Sequence, residues 1–188
     1  MLRRNLRPAS TMILIMTVVT GLGYSLAMTA VAQLAAPHQA NGSLIERDGT
    51  VVGSALVGQA FESPRYLAPR PSAVDYAADN SGASNLGATS RELVTAIRGR
   101  AEAAAERFGA ERPPVDLVTA SASGLDPHLS PEAALIQADA IAAARGVDAA
   151  AVTRVIEAHV RQPVFGVIGE PRVDVLAVNL ALDDAFGR

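Results

Sequence analysis

The chain has 188 residues, and its 16 basic residues are all arginine. Because lysine is absent, the sequence excludes a phosphate-binding P-loop, the Asp-Lys-Thr-Gly phosphorylation motif of ion-pumping ATPases and a Ser-Lys hydrolase dyad. Because cysteine is absent as well, it excludes disulfide bonds, a thiolate nucleophile and a cysteine-ligated metal site.

The first predicted element is an apolar helix over residues 12–36, a run without a charged side chain. At about 1.5 Å per residue this helix is about 37 Å long, enough to cross the ~30 Å hydrocarbon layer of a bilayer. A cleaved signal peptide is the alternative, since Ala30-Val31-Ala32 matches the small-x-small cleavage pattern. The run is longer than a usual signal-peptide core, which favours a retained membrane anchor.

Charge is distributed unevenly around this predicted anchor. All 19 acidic residues and all but three of the arginines follow it, so the rest of the chain carries a net charge of −6. That balance argues against nucleic acid or an anionic lipid surface as a partner. The three preceding arginines place residues 1–11 in the cytoplasm by the positive-inside rule. Residues 37–188 are then a soluble domain outside the cytoplasm, on a single-pass protein of the plasma (inner) membrane.

Small side chains recur every four residues along the predicted anchor, at Thr17, Gly21, Ser25 and Thr29. On a helix they form one row, and such rows allow transmembrane helices to approach closely. The spacing therefore predicts that this row contacts another membrane protein.

Two kinds of segment follow the anchor. Asp48-Gly49, between short apolar runs in residues 43–58, predicts a β-hairpin with a tight turn. Residues 61–89 are rich in Pro, Gly and Ser and predict a long irregular segment, which its aromatic side chains indicate is ordered.

Three helices are predicted next. Thr89 and Glu92 form a capping box that begins the first, and Gly109 ends it. Its predicted buried stripe is Leu93, Ile97, Ala101, Ala104 and Phe108.

The second helix begins at Ser130 and ends near Gly146, and the third begins at Asp148 and stops before Pro163. Residues 115–118, 164–168 and 173–182 are predicted strands. Helices and strands mix without a βαβ pattern, so the predicted fold class is α+β: a single N-terminal transmembrane helix followed by one mixed α/β extracytoplasmic domain.

The densest cluster of polar side chains lies in residues 116–131. Ser121 or Ser123, His128 and Asp126 suggest a hydrolase triad, but the Asp-Pro-His turn constrains two of them and no oxyanion hole is evident. Turn-closing hydrogen bonds explain the same residues better, with Gly124 supplying a positive φ. No catalytic residue is therefore predicted.

Two further possibilities concern ligands. The helix start at Ser130, with Gln137 two turns further on, could hold a phosphate, although a plain helix cap is the favoured interpretation. The three histidines are far apart in sequence, and none has a partner at metal-ligand spacing, so no metal site is predicted.

These segments carry a resemblance to a known family. The N-terminal span, the run Ser81–Gly87, the run Asp116–Pro131 and the closing run Pro171–Leu182 occur in the order found in the C subunit of the bacterial potassium-transporting Kdp ATPase. Ala83 and Ala88 depart from the family's usual Gly and Pro. The motif residues are Asn80, Ser81, Gly82, Ser84, Asn85, Gly87, Asp116, Thr119, Ser121, Ser123, Gly124, Asp126 and His128.

The resemblance implies a non-catalytic subunit of an ATP-driven potassium uptake pump, needed for assembly and activity. Its implied partners are a channel-like potassium-binding subunit, a P-type ATPase subunit and a small hydrophobic subunit. The family has been described as raising the ATPase subunit's affinity for ATP, which implies nucleotide contact at Ser130 and Gln137. A domain outside the cytoplasm could not reach ATP, so no firmly bound cofactor is expected. ATP would be involved only through the ATPase subunit.

Two alternatives stay open at this point. Signal cleavage after Ala32 would release a secreted serine hydrolase, or a free periplasmic binding module.

Overall fold

The computed structural model describes residues 2–187 and divides the chain into two compact units, with the boundary between Leu44 and Ile45. The outermost residues of the predicted ranges 1–11 and 37–188, Met1 and Arg188, lie outside the described residues.

The first unit is dominated by one long helix. It consists of α1 (Leu2–Met16), a π-helical segment (Thr17–Tyr24) and α2 (Ser25–Ala35), and a short α3 (Pro37–Ala40) follows. Residues Arg4–Ala35 are long and apolar enough to cross a membrane, a test that a signal sequence also passes. The prediction of an apolar helix is confirmed. The helix extends beyond the predicted run, since it begins at Leu2, and its π-helical segment, in which hydrogen bonds reach five residues along the chain, was not predicted.

The predicted hairpin is confirmed. Strand β1 (Leu44–Arg47) pairs with β2 (Thr50–Ser54). Asp48 and Gly49 between them have φ values of 53° and 74°, so both central turn residues are left-handed, as the favoured two-residue hairpin turn requires.

The irregular segment is confirmed too, since residues 55–90 contain neither helix nor strand. It is nevertheless ordered by two amide side chains. Asn179 accepts a hydrogen bond from Leu67 N at 2.7 Å and donates to Leu67 O at 3.0 Å. Gln137 does the same for Ala68, at 2.8 Å and 3.1 Å. Leu67 is fully buried as a result.

Helix α4 (Arg91–Phe108) ends at the left-handed Gly109, as predicted. The predicted cap is wrong by one residue, because Ser90 rather than Thr89 accepts the hydrogen bond from Leu93 N. The predicted stripe faces inward: Ala104 is buried and its other members are half-buried.

Two predictions in the middle of the chain are wrong. Residues Val115–Val118 form a short helix, α5, instead of a strand. The helix that Ser130 caps is interrupted, giving α6 (Pro131–Leu135) and α7 (Ala138–Arg145). The break occurs where the fully buried Gln137 bonds the irregular segment. Helix α8 (Ala149–Ala158) begins at Asp148, as predicted.

The predicted C-terminal strands are largely wrong. Residues 164–168 make only one β-bridge, between Val164 and Ile168. Strand β5 (Arg172–Asp174) is short, and α9 (Val175–Phe186) follows it at once. Asp174 caps this helix by accepting from Ala177 N at 3.0 Å. The apolar residues of α9 recur at helical spacing, which outweighs the partial alternation from which strands were predicted.

One small sheet and four helices form the core of the second unit. Strand β5 lies between β3 (His128–Leu129) and β4 (Val160–Arg161), and both pairings are antiparallel. Helices α6 to α9 supply most of the buried side chains. The structure is thus mixed helix and sheet, as expected for α+β. The fully buried hydrophobic side chains include Leu129, Ile141, Val152, Ile156, Val173, Val178 and Leu182.

Candidate functional site

The small-residue row lies on the exposed surface of the N-terminal helix. Thr17 and Gly21 belong to the π-helical segment, whereas Ser25 and Thr29 belong to α2. Thr29 Oγ1 donates to Ser25 O at 2.9 Å, so its hydroxyl bonds within its own helix. Contact of this row with a partner helix stays a prediction.

The two motif loops, distant in sequence, lie against each other. Ser123 O accepts hydrogen bonds from Gly82 N at 2.8 Å and from Ser81 Oγ at 3.1 Å. The Asn80–Gly87 loop and the Ser121–His128 loop therefore form one surface, named here the motif platform. Its exposed members are Asn80, Ser81, Ser84, Asn85, Gly87 and Ala122.

A third segment, residues 70–76, is hydrogen-bonded to the Ser121–His128 loop of the platform. Ser72 Oγ donates to Gly124 O at 2.7 Å and accepts from Val74 N and Tyr76 N, each at 3.1 Å. Ser121 N donates to the carbonyl of the same segment at residue 71, at 3.0 Å. The sequence predicted an irregular segment here but gave no sign of its contact with the platform.

Arg70, which was not predicted as a site residue, connects this segment to two motif carboxylates. Its Nη1 lies 2.9 Å from Asp126 Oδ2, and its Nε lies 3.9 Å from Asp116 Oδ1. Arg70 Nε is buried without a hydrogen-bond partner among the described residues. Asp116 Oδ2 also accepts from Ser130 N at 2.7 Å, which fixes the start of α6.

The Asp-Pro-His turn is closed locally. Asp126 Oδ1 accepts from His128 N at 3.0 Å, and His128 Nδ1 lies 3.7 Å from the same oxygen. The pKa of Asp126 is lowered to about 2, first by the His128 side chain and further by the His128 backbone N–H and Arg70, while burial acts in the opposite direction. This carboxylate is therefore ionised at neutral pH and serves as a structural anion.

Lowering the pH is expected to destabilise the chain through Asp126. Its folded pKa of about 2 lies below the unfolded value of about 3.9, so its stabilisation is complete above about pH 4 and is lost as pH falls toward 2. We expect Asp126→Asn to reduce the free energy of unfolding at pH 7 by about 1–2 kcal/mol, allowing for partial exposure. It should also flatten the decline in stability between about pH 4 and pH 2.

Urea unfolding at a series of pH values measures this effect, with Glu106→Gln on the exposed surface of α4 as control. An acid-unfolding profile of Asp126→Asn identical to that of the unmodified chain would contradict the assignment.

The possible hydrolase triad is not assembled. Ser121 is 97% buried, and Ser123 Oγ accepts a hydrogen bond from Leu125 N at 3.1 Å. In residues 2–187 neither hydroxyl is hydrogen-bonded to His128. Thr119 Oγ1 is likewise used locally, donating to Val115 O at 2.7 Å. The motif hydroxyls close turns, which is the interpretation that the sequence favoured.

The two residues of the expected nucleotide contact have structural roles. Ser130 Oγ accepts from Ala133 N at 3.2 Å and caps the five-residue helix α6. Gln137 is fully buried, and its Nε2 also donates to Ala133 O at 2.9 Å. Both polar atoms of this amide are therefore hydrogen-bonded to backbone. The nucleotide contact stays a prediction to which this geometry adds no support.

A charged cleft of about 370 Å³ opens beside the platform. Its lining includes Arg70, Asp116, Asp126 and His128, together with residues 169–171 of the loop before β5 and Arg172 of β5 itself. No group of three His, Asp or Glu side chains in the described part of the chain is arranged to hold a metal ion. The cleft presents both acidic and basic side chains at the surface.

Comparison with known proteins finds relatives along nearly the whole chain. The family model described as "K+-transporting ATPase, c chain" matches residues 6–184. A potassium-transporting ATPase KdpC subunit from Cereibacter sphaeroides is 56% identical over 181 residues, covering 96% of this chain and 97% of the relative. KdpC subunits from Sorangium cellulosum and Rhodospirillum rubrum are 51% and 50% identical, covering 96% and 97% of this chain and 98% and 97% of the relatives.

Proposed function

This chain belongs to the C-chain family of K+-transporting ATPases, and from that premise we propose that it is the single-pass accessory subunit of a potassium uptake pump, with its second unit outside the cytoplasm. The role is non-catalytic. The observation that carries the proposal is the motif platform, in which the hydroxyls that could serve catalysis are used to close turns and to join two loops. A rigid surface of this kind is suited to holding neighbouring subunits in register.

The charge pattern supports the proposed orientation. Three arginines precede the apolar run, and every acidic residue follows it. By the positive-inside rule residues 1–11 are cytoplasmic, residues 12–36 span the membrane and residues 37–188 lie outside. N-terminal sequencing of the mature protein separates this arrangement from signal cleavage, since a chain that starts at Gln33 would have lost its anchor.

The relatives' names identify them as subunits of a potassium-transporting ATPase. We therefore take as partners the channel-like potassium-binding subunit, the P-type ATPase subunit and the small hydrophobic subunit of one complex. With the second unit outside the cytoplasm, ATP is held by the ATPase subunit alone, and the chain binds no cofactor firmly.

Co-purification tests the proposed function. An affinity-tagged full-length chain, expressed with its own operon, should recover the P-type ATPase subunit, and the recovered complex should show potassium-stimulated ATP hydrolysis. Deleting the chain should abolish both the assembly and growth at limiting potassium. Full potassium-stimulated activity in a complex that lacks the chain would contradict the proposal.

Disrupting the small-residue row should weaken assembly. Leucine at both Gly21 and Ser25 places bulk where a partner helix would approach, and it removes the Ser25 hydroxyl, whose hydrogen bond across helices would be worth about 1–2 kcal/mol. We expect recovery of the other subunits to fall about fivefold or more. Ala27→Leu is the control, because a residue two positions from Ser25 does not share its helix face. Unchanged recovery with the double variant would show that this face does not contact a partner.

A further inference from the structure

An apolar loop projects from the second unit between β4 and β5. Val164 N donates to Ile168 O at 2.9 Å and Ile168 N donates to Val164 O at 3.0 Å, which closes a tight turn. Phe165 and Gly166 at its tip have φ values of 54° and 75°. The segment is thus a defined structure, and we name residues Val164–Ile168 the apolar loop.

The apolar loop leaves its largest side chains in water. Phe165 is 90% exposed and Val167 is 81% exposed, and Val164 and Ile168 are also exposed. A bulky residue at positive φ costs about 1–3 kcal/mol, and it persists only where the surrounding structure imposes it. Residues 162–169 carry no charge. A strained turn that presents a phenyl ring to solvent resembles the preformed aromatic anchors of protein interfaces.

The size of the apolar loop constrains its occupant. A buried aromatic side chain contributes about 150–250 Å², so the whole loop offers a few hundred Å², well below the ~800 Å² per partner of a standard interface. The loop alone would not hold a freely diffusing partner. It suits a partner that a second contact of the same chain already holds nearby, because tethering raises the effective concentration of the second contact.

The apolar loop also adjoins the charged cleft. Gly169, Glu170 and Arg172, which follow the loop, line that cleft together with Arg70 and His128. An apolar tip beside a rim of paired charges is the usual arrangement of a protein–protein interface, with its anchor inside and its polar groups at the edge. Asp126 and His128 of the motif platform also line this cleft, so the apolar loop is continuous with the surface proposed above for subunit contacts.

Charge and rigidity favour a protein over lipid as the occupant. The part of the chain that follows the anchor carries a net charge of −6, so an anionic bilayer surface would repel that part of the chain as a whole. Insertion into a fluid bilayer does not depend on a fixed side-chain direction. Binding in a protein pocket does, because a side chain that is already held in place loses less conformational freedom on binding.

We propose that the apolar loop inserts Phe165 and Val167 into an uncharged apolar pocket on a membrane-embedded subunit of the same pump, at the surface where the second unit lies. This rests on the proposed function, since that subunit is the partner that the anchor holds nearby.

Site-specific photo-crosslinking tests the proposal in intact membranes. A benzophenone amino acid replaces Phe165 in the tagged full-length chain expressed with its operon. The control position is Val115, which is 68% exposed on α5. We expect irradiation to link position 165, and not position 115, to a pump subunit identified by mass spectrometry. Crosslinks from position 165 to lipid only, equal crosslinking from both positions, or no crosslink would overturn the proposal.

A matched pair of substitutions gives the energetic test. Phe165→Ala combined with Val167→Ser should reduce recovery of the pump subunits about tenfold or more, as truncation of an interface anchor does. Val115→Ser should leave recovery unchanged. Because these side chains are exposed, thermal unfolding should be unaltered in both variants, which separates lost docking from misfolding. Equal recovery with both variants would overturn the docking assignment while leaving the proposed function intact. Failure of the unmodified chain to recover any subunit would instead refute the proposed function.

Discussion

Replacing Gly124 with alanine is expected to lower the free energy of unfolding by about 3–5 kcal/mol, a large effect for the addition of one methyl group. Gly124 has a φ of 69°, which alanine adopts only with strain. A Cβ there would lie 2.4 Å from Val74 Cγ2, 2.7 Å from Gly82 O and 3.3 Å from Ser72 Oγ. Backbone on one side and a buried contact on the other leave little room to relax, so the two motif loops would have to separate.

Gly146 provides a control with the same backbone conformation. Its φ is also 69°, but a Cβ there would meet no atom within 4 Å. Gly146→Ala should therefore cost only the backbone strain, about 1 kcal/mol. Urea unfolding of the full-length chain in detergent, followed by circular dichroism, measures both variants. Equal losses in the two would show that the contacts around Gly124 contribute nothing.

Removing the Arg145 guanidinium is the second large effect. Its side chain is completely buried, with Nη2 2.9 Å from Asp183 Oδ1. Nε donates to Arg65 O at 2.7 Å, and Nη1 donates to Leu182 O at 3.2 Å and Gly187 O at 2.9 Å. The guanidinium also lies over the Tyr66 ring, 5.1 Å from its centroid. One cation thus joins α7, the irregular segment and the end of α9.

We expect Arg145→Met to lower the free energy of unfolding by about 3–5 kcal/mol, because it leaves a buried carboxylate and several carbonyls without this donor. Arg154→Met, on the exposed surface of α8, is the matched control and should change stability by less than about 0.5 kcal/mol. A second comparison is the pair Arg47–Asp184. Asp184 is 67% exposed, so Arg47→Met should cost at most about 1 kcal/mol. A loss with Arg145→Met no larger than in these two variants would contradict the role assigned to Arg145.

Local sequence signals predicted the local structure well. Asp48-Gly49 determined a hairpin turn, and Ser130, Asp148 and Gly109 marked helix ends where the structure has them. Each of these features depends on hydrogen bonds or dihedral angles within a few residues of the chain.

Predictions failed where distant residues decide the conformation. Helix α6 ends at Leu135 instead of running on to Arg145, and the break is explained by Gln137, whose buried side chain bonds Ala68, far away in sequence. The prediction of a C-terminal strand over residues 173–182 failed for a local reason instead: Asp174 accepts from Ala177 N and caps α9, whose apolar residues show partial alternation as well as helical spacing. Helical spacing was present in that run, so a stricter comparison of the two periodicities would have found it.

In the candidate site, too, local features could be predicted from the sequence and tertiary contacts could not. Its motif residues were identified from sequence, but neither Arg70 nor the arrangement of the site was. Nothing local to Ser81 or Ser123 indicates that one donates to the carbonyl of the other. Arg70 carries no distinguishing neighbour in sequence, yet it pairs with both motif carboxylates. Tertiary contacts of this kind follow from the packing of whole segments.

The side of the membrane on which the second unit lies tests the account most directly. Because the chain has no cysteine, a single engineered cysteine can be labelled without background from the chain itself. Glu111→Cys lies on the exposed surface of the second unit, and Ser10→Cys lies near the N-terminus. In intact spheroplasts a membrane-impermeant maleimide should label position 111 and spare position 10 until the cells are lysed. Labelling of position 10 with protection of position 111 would place the second unit in the cytoplasm and contradict the account.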